Sequence, residues 1–221
     1  MSMQIHSAAL VPQSVSSLSR EADHRIGNSL AVIGSLVRLK AARATSADDP
    51  QTFLTEIADR IDTVATLHRL VAQSNTETVQ LGKYLQEICE RLNSALAPEA
   101  TSFSVLCSPE HIVPFTVALP LGLMTAELFS NSLKYAHPAG TPVKITLSCS
   151  RAGEDTLSVI YEDDGVGFPE TFDMAHDGHL GMQVIRSLCE QLQGTPQWLS
   201  DPLGIRFEIT IPLLAAWLRA S

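Results

Sequence analysis

Leu157-Ser158-Val159-Ile160-Tyr161-Glu162-Asp163-Asp164-Gly165-Val166-Gly167 carries the chain from an apolar run into three acids and two glycines. The run from Leu157 reads as a strand, so the Asp-x-Gly-x-Gly pattern falls at a strand end. A carboxylate there, Asp163, can accept a hydrogen bond from an adenine amino group, and Gly165 and Gly167 let the backbone pass close to a base. Upstream, Glu127-Leu128-Phe129-Ser130-Asn131-Ser132-Leu133-Lys134-Tyr135 reads as helix. On it Asn131 offers an amide oxygen to Mg²⁺, and Lys134 can face phosphates. The two segments together predict ATP chemistry in a chain with neither a Walker loop nor a Rossmann glycine pattern. Either alone is a weak signal, because Asp-x-Gly-x-Gly also occurs in ordinary turns.

A third segment, Glu21-Ala22-Asp23-His24-Arg25-Ile26-Gly27-Asn28-Ser29-Leu30, resembles the phosphoacceptor box of histidine kinases. The resemblance is to the subgroup with an H-R-[VI]-x-N box, the second type of dimerisation-and-phosphoacceptor domain, related to the HWE kinases. In that family a phosphoacceptor helix and a second helix precede an ATP-binding domain of the GHKL (Bergerat) type. That domain carries an N box, a D-x-G-x-G box and a second glycine box. All appear here in order, the last as Gly178-His179-Leu180-Gly181-Met182, so the resemblance spans residues 18 to 212.

The resemblance implies an ATP-dependent protein histidine kinase without a sensor domain of its own. His24 would be the phosphoacceptor and Asn131 the Mg²⁺ ligand, with Glu127 one turn earlier near the phosphates or the attacking group. Lys134 and Tyr135 would touch phosphate and ribose, Asp163 would read adenine, and Gly181 would belong to a phosphate cradle at a helix N-terminus. Three positions depart from the family's usual pattern. Asp164 stands where many relatives have Asn and would bring a further charge close to metal and phosphates. Gly27 replaces a usual Lys, and His179 occupies a place often held by glycine. With a short lid from Phe168 to Leu180, the last departure is compatible with slow turnover or weak ATP binding.

Position supports His24 as acceptor. Ile26, Leu30, Ile33 and Val37 form one apolar helical stripe, and residue 24 falls nearly opposite its centre. Neutral imidazole, with an ordinary pKa of about 6.5, keeps a free lone pair at neutral pH. Without the surrounding box the same residue would be a plain exposed helix histidine. Asp23 can orient the ring or accept its proton, and Arg25 can neutralise phosphate charge; both also suit an ordinary surface. His68 lies on the apolar stripe of the next helix and reads as a core residue, while His137, beside Pro138, reads as a helix-closing residue.

Apolar content of 45% with 18% charged residues describes a folded globular chain. A formal charge of −9 argues against a nucleic-acid surface. Cys89, Cys107, Cys149 and Cys189 are widely spaced without a C-x-x-C pair, which favours single buried thiols over disulfides or zinc. No apolar run reaches the roughly 18 residues of a membrane span, and no secretion signal is evident, so a cytoplasmic protein is expected.

Residues 1–17 read as a flexible lead-in and 18–75 as an antiparallel helical hairpin, its second stripe being Ile57, Ile61, Val64, His68 and Val71. One hairpin covers both stripes poorly, so a homodimeric four-helix bundle is expected. Gln73 to Gly82 reads as a polar hinge, and 80–221 as the catalytic ATP-binding domain. There helices are expected at 81–96, 119–135 and 180–192, with strands at 102–107, 143–150, 157–162 and 205–211. The fold class is therefore α+β: a hairpin followed by a GHKL-type sandwich. The partners expected are a response-regulator receiver domain and a second copy of the chain; since the length leaves little room for a sensor, input is expected from a sensory protein acting in trans or from the N-terminal segment. Two other readings share features of the sequence. A histidine phosphotransferase would relay phosphate without ATP, and a serine kinase of the anti-sigma-factor type would not need His24.

Overall fold

Leu81, Tyr84, Leu85, Ile88 and Cys89 recur at helical spacing, and all five are buried in helix α1 (Leu81–Leu96). The computed structural model describes residues 78–96, 101–153, 155–173 and 180–213, with Gly34 and Ile61 as single helical positions. By internal contacts the chain forms two compact units, Met1–Ile57 and Ala58–Ser221, and the elements below belong to the second. The hairpin expected over 18–75, including His24, lies outside the described residues apart from those two positions.

Before α1, strand β1 (Thr78–Gln80) pairs antiparallel with β3 (Ile112–Pro114). The last part of the segment read as a polar hinge is thus paired strand and helix. Between them runs β2 (Thr101–Cys107), and helix α2 (Phe115–Tyr135) follows directly on β3. Strands β4 (Val143–Arg151) and β5 (Thr156–Asp163), helix α3 (Leu180–Gln191), and strands β6 (Thr195–Asp201) and β7 (Gly204–Pro212) complete the unit. Five strands form one mixed sheet in the order β2-β4-β5-β7-β6, parallel only between β2 and β4.

The three helices pack with the sheet, and α2 touches both α1 and α3. Helix α2 is buried almost all round through Ala126, then turns polar on one face at Glu127, Asn131, Lys134 and Tyr135. Its start, four residues before the expected one, places Pro120 inside the helix. The missing proline N–H removes one intrahelical bond, in a helix held mainly by burial.

Registers across the sheet set which residues share a row. Val105, Leu147, Tyr161, Phe207 and Trp198 form one row; on the same face Phe103, Ile145 and Asp163 share the next, and Ile205, paired with Ser200, donates its N–H to the Asp163 side chain. Period two along β5 puts Leu157, Val159, Tyr161 and Asp163 on one face, so an acid occupies a position that pattern alone would fill with an apolar residue. The alternate positions on β5 and β7 are mostly polar, and there Arg206 donates to Glu162 at 2.6 Å and to Glu208 at 3.3 Å.

One expectation about the cysteines is corrected. Cys107 and Cys149 are register partners on β2 and β4, with Cα atoms 4.7 Å apart, and they form a disulfide. The parallel pairing brings together residues 42 apart in sequence. Cys89 and Cys189 are single buried thiols as read, and burial pushes them up to about 12 and about 11 respectively.

Candidate nucleotide site

Asp163 is the last residue of β5, and three donors hold its carboxylate. Gly165 N–H and Ile205 N–H reach Oδ1 at 3.1 and 3.2 Å, and the Ser132 hydroxyl reaches Oδ2 at 2.5 Å. Ser132 in turn lies 2.9 Å from the Tyr161 hydroxyl. An ionised carboxylate offers about four lone-pair sites, so three donors leave one acceptor site open. Asp163 also lines a cavity of about 450 Å³, whose walls include Leu128, Tyr161, Val166, Phe168, Met182 and Ile205. The arrangement is one carboxylate in a largely apolar wall, suited to a flat base carrying an amino group.

Both glycines of the Asp-x-Gly-x-Gly turn are required by the protein's own packing. A β-carbon on Gly165 would stand 2.6 Å from Ala136 Cα, at the end of α2, and Val166 N–H donates to the Ala136 carbonyl at 2.9 Å. Gly167 adopts φ 74°, which disfavours any β-carbon, and lies against the Asp201 carbonyl and Ser200. Phe168 N–H donates to Ser200 Oγ at 2.7 Å. The turn is thus wedged between α2 and the β6–β7 hairpin, with Gly167 itself on the cavity wall.

Asn131, Lys134 and Tyr135 line the same cavity from α2. Glu127, one turn before Asn131, is not among the lining residues but meets the start of α3. A β-carbon on Gly181 would be 2.7 Å from Glu127 Oε2 and 3.6 Å from both terminal atoms of the Asn131 amide. Gly181 therefore converges with Glu127 and Asn131, which lie 54 and 50 residues earlier in the chain. Together they make a carboxylate, an amide oxygen and helical N–H groups with no side chain between. This donor set fits Mg²⁺ and phosphate, which take oxygen ligands and backbone N–H groups respectively.

Asp164 does not behave as its position suggested. Its Oδ1 accepts from Lys144 N–H at 2.8 Å and pairs with His137 Nε2 at 3.0 Å. Burial would raise this carboxyl, but the Lys144 and His137 hydrogen bonds prevail and hold it below the usual carboxylate range. The side chain is tied to β4 and to the second residue after α2, and it is not among those lining the cavity. His137 accordingly has a partner beyond closing a helix.

Sequence reasoning missed Ser132, Tyr161 and an aromatic wall. Phe168 stacks on Phe172 with ring centres 4.5 Å apart, and Trp198 packs on Phe207 at 4.5 Å, with Phe168, Phe172 and Trp198 all lining the cavity. Period two from Asp163 would have indicated Tyr161. Nothing local marks Trp198.

Family comparisons agree with this geometry. Residues 21–96 match the family HisKA_2, described as histidine kinase, and residues 116–215 match the histidine kinase-, DNA gyrase B- and HSP90-like ATPase family. The chain belongs to the histidine kinases, with a phosphoacceptor region followed by a GHKL-type ATPase domain. It is similar to blue-light-activated histidine kinase 2 of Erythrobacter litoralis, 27% identical over 87% of this chain and 56% of that protein. It is also similar to the sensor histidine kinase PdtaS of Mycobacterium tuberculosis, 27% identical over 76% of this chain and 34% of that one. Among solved structures, the histidine kinase domain of Erythrobacter litoralis EL346 superposes with a TM-score of 0.66 at 28% identity, covering 88% of this chain and 92% of that one. The chain thus spans about half, or about a third, of the length of these curated relatives. No helix among the described residues is long and apolar enough to cross a membrane.

Proposed function

We propose that this chain autophosphorylates His24 with ATP and passes the phosphoryl group to an aspartate on a response-regulator receiver domain. The observation that carries the ATP half is the Asp163 carboxylate, fixed by three donors on an apolar cavity wall that Asn131 and Lys134 share. Asp163 takes the adenine amino group, and Tyr135 and Lys134 meet ribose and phosphate. Asn131 holds Mg²⁺, and Gly181 leaves room for phosphate at the start of α3. Bound Mg²⁺ neutralises charge on the phosphate oxygens.

In the transfer, a nitrogen of neutral His24 forms a bond to the γ-phosphorus as the bond from that phosphorus to the bridging oxygen of ADP breaks. The imidazole proton leaves to Asp23, and Arg25 offsets the charge of the product. Residues 18–75 form the dimerisation and phosphoacceptor hairpin of a homodimer, and residues 80–221 the ATP-binding domain. The reaction takes place in the cytoplasm.

Incubation with γ-labelled ATP and Mg²⁺ tests the reading. Label that is lost in acid and kept in alkali is expected for a phosphohistidine. Acid-stable label would indicate a serine kinase. No label and no ATP binding would leave a phosphotransferase.

A further inference from the structure

We propose that Ser132 and Tyr161 are positioning residues that give Asp163 its choice of base, presenting one acceptor site that takes a 6-amino group and refuses a 6-carbonyl. The proposal rests on the reading of Asp163 as the base-contacting carboxylate.

The direction of each hydrogen bond in the cluster is fixed by chemistry. Asp163 can only accept, so at 2.5 Å the Ser132 hydroxyl must donate its single proton to Oδ2. With that proton committed, the 2.9 Å contact between Ser132 and Tyr161 requires the phenol to donate. Burial, with the Asp163 charge adding to it, keeps the Tyr161 phenol protonated far above neutral pH, so this donor is permanent. The chain of protons runs one way, from Tyr161 to Ser132 to Asp163.

The consequence lies at Asp163. Gly165 N–H and Ile205 N–H occupy Oδ1, and Ser132 occupies one site on Oδ2. One acceptor site is left, and no hydroxyl proton in the cluster can turn toward a ligand. An adenine amino group satisfies that site. A hypoxanthine or guanine carbonyl would set lone pair against lone pair. Removing the serine hydroxyl opens a second site on Oδ2, where a water can sit and donate to either kind of base. Ser132 and Tyr161 are 5% and 2% exposed and line the cavity beside Asp163, but with both hydroxyl protons committed within the cluster they act through the Asp163 carboxylate.

The test is calorimetric titration of the full chain with Mg²⁺-ATP and Mg²⁺-ITP, which differ at the 6-position. S132A is expected to lower ATP affinity about tenfold, equivalent to ~1.4 kcal/mol, and to leave ITP affinity within about twofold. The ATP-to-ITP ratio then narrows by about tenfold. S132T keeps the hydroxyl and restores the wild-type ratio, while Y161F narrows it by a smaller factor of about three, since the serine proton is no longer directed. An unchanged ratio in S132A, or equal loss of both nucleotides, overturns the proposal, because a serine that only fills space would do that. Should S132A fail to fold, Y161F decides, and a wild-type ratio there overturns it. A wild-type chain that binds neither nucleotide overturns the kinase reading together with this one, whereas wild-type ATP binding with variant-independent ratios overturns this one alone.

Discussion

Gly181 sits so close to Glu127 that a β-carbon on it would stand 2.7 Å from Glu127 Oε2. The atom it meets is the far end of a flexible side chain, so alanine there is tolerated by the fold but displaces the carboxylate. Gly181→Ala is therefore expected to melt within a few degrees of wild type while slowing phosphorylation about 10- to 100-fold, the scale on which small misplacements act. Labelling at the wild-type rate would place the phosphates elsewhere.

Asp163→Ala should weaken ATP binding by roughly 1.5–3 kcal/mol, the range for a hydrogen bond to a charged group. It should also lower the melting temperature, since Gly165 N–H, Ile205 N–H and Ser132 lose their acceptor. Calorimetry and a thermal melt read the two effects separately, and unchanged ATP affinity would remove Asp163 from the base site.

His24→Gln is expected to abolish acid-labile label and to leave ATP affinity unchanged, because binding needs only the nucleotide domain. Asn131→Ala should block labelling from ATP through loss of a Mg²⁺ ligand, yet still accept phosphoryl groups in reverse from a phosphorylated regulator. Normal labelling of Asn131→Ala by ATP would rule out the metal assignment; acid-labile label on His24→Gln would direct attention to another histidine.

Acid stability should report Asp164. Its folded-state pKa is depressed, because the Lys144 and His137 hydrogen bonds outweigh the opposing effect of burial. A depressed carboxyl contributes stability above its ordinary value of about 4, and loses it as pH falls through the lower folded value. Asp164→Asn should therefore be less stable than wild type at pH 7 and converge with it in strong acid. Denaturant midpoints across that range give the comparison, and a constant difference would show that ionisation plays no part.

The sequence made the main elements legible where burial is periodic. Leu81 to Cys89 read as a helix and Leu157 to Tyr161 as a strand because one face of each is apolar. Strand β6 escaped because Thr195-Pro196-Gln197 is an exposed edge with a proline, which shows no alternation. Strands β1 and β3 are three residues each, too short to carry a pattern. In the site, Asp163, Asn131 and Gly181 were visible from spacing within motifs. Ser132, Trp198 and the Cys107–Cys149 pair depend on register between distant strands or on packing, and spacing does not encode either.

The segment from Asp164 to Phe168 is a loop by shape, yet four of its amides have fixed acceptors: Lys144 O, Asp163 Oδ1, Ala136 O and Ser200 Oγ. Exchange of these amides with solvent deuterium should be slow, as in a strand, although the Val166 side chain between them is 54% exposed. A binding loop normally surrenders conformational entropy when its ligand arrives. Here folding has already taken that loss at four of the five amides, so a base docking on this wall would order little further backbone.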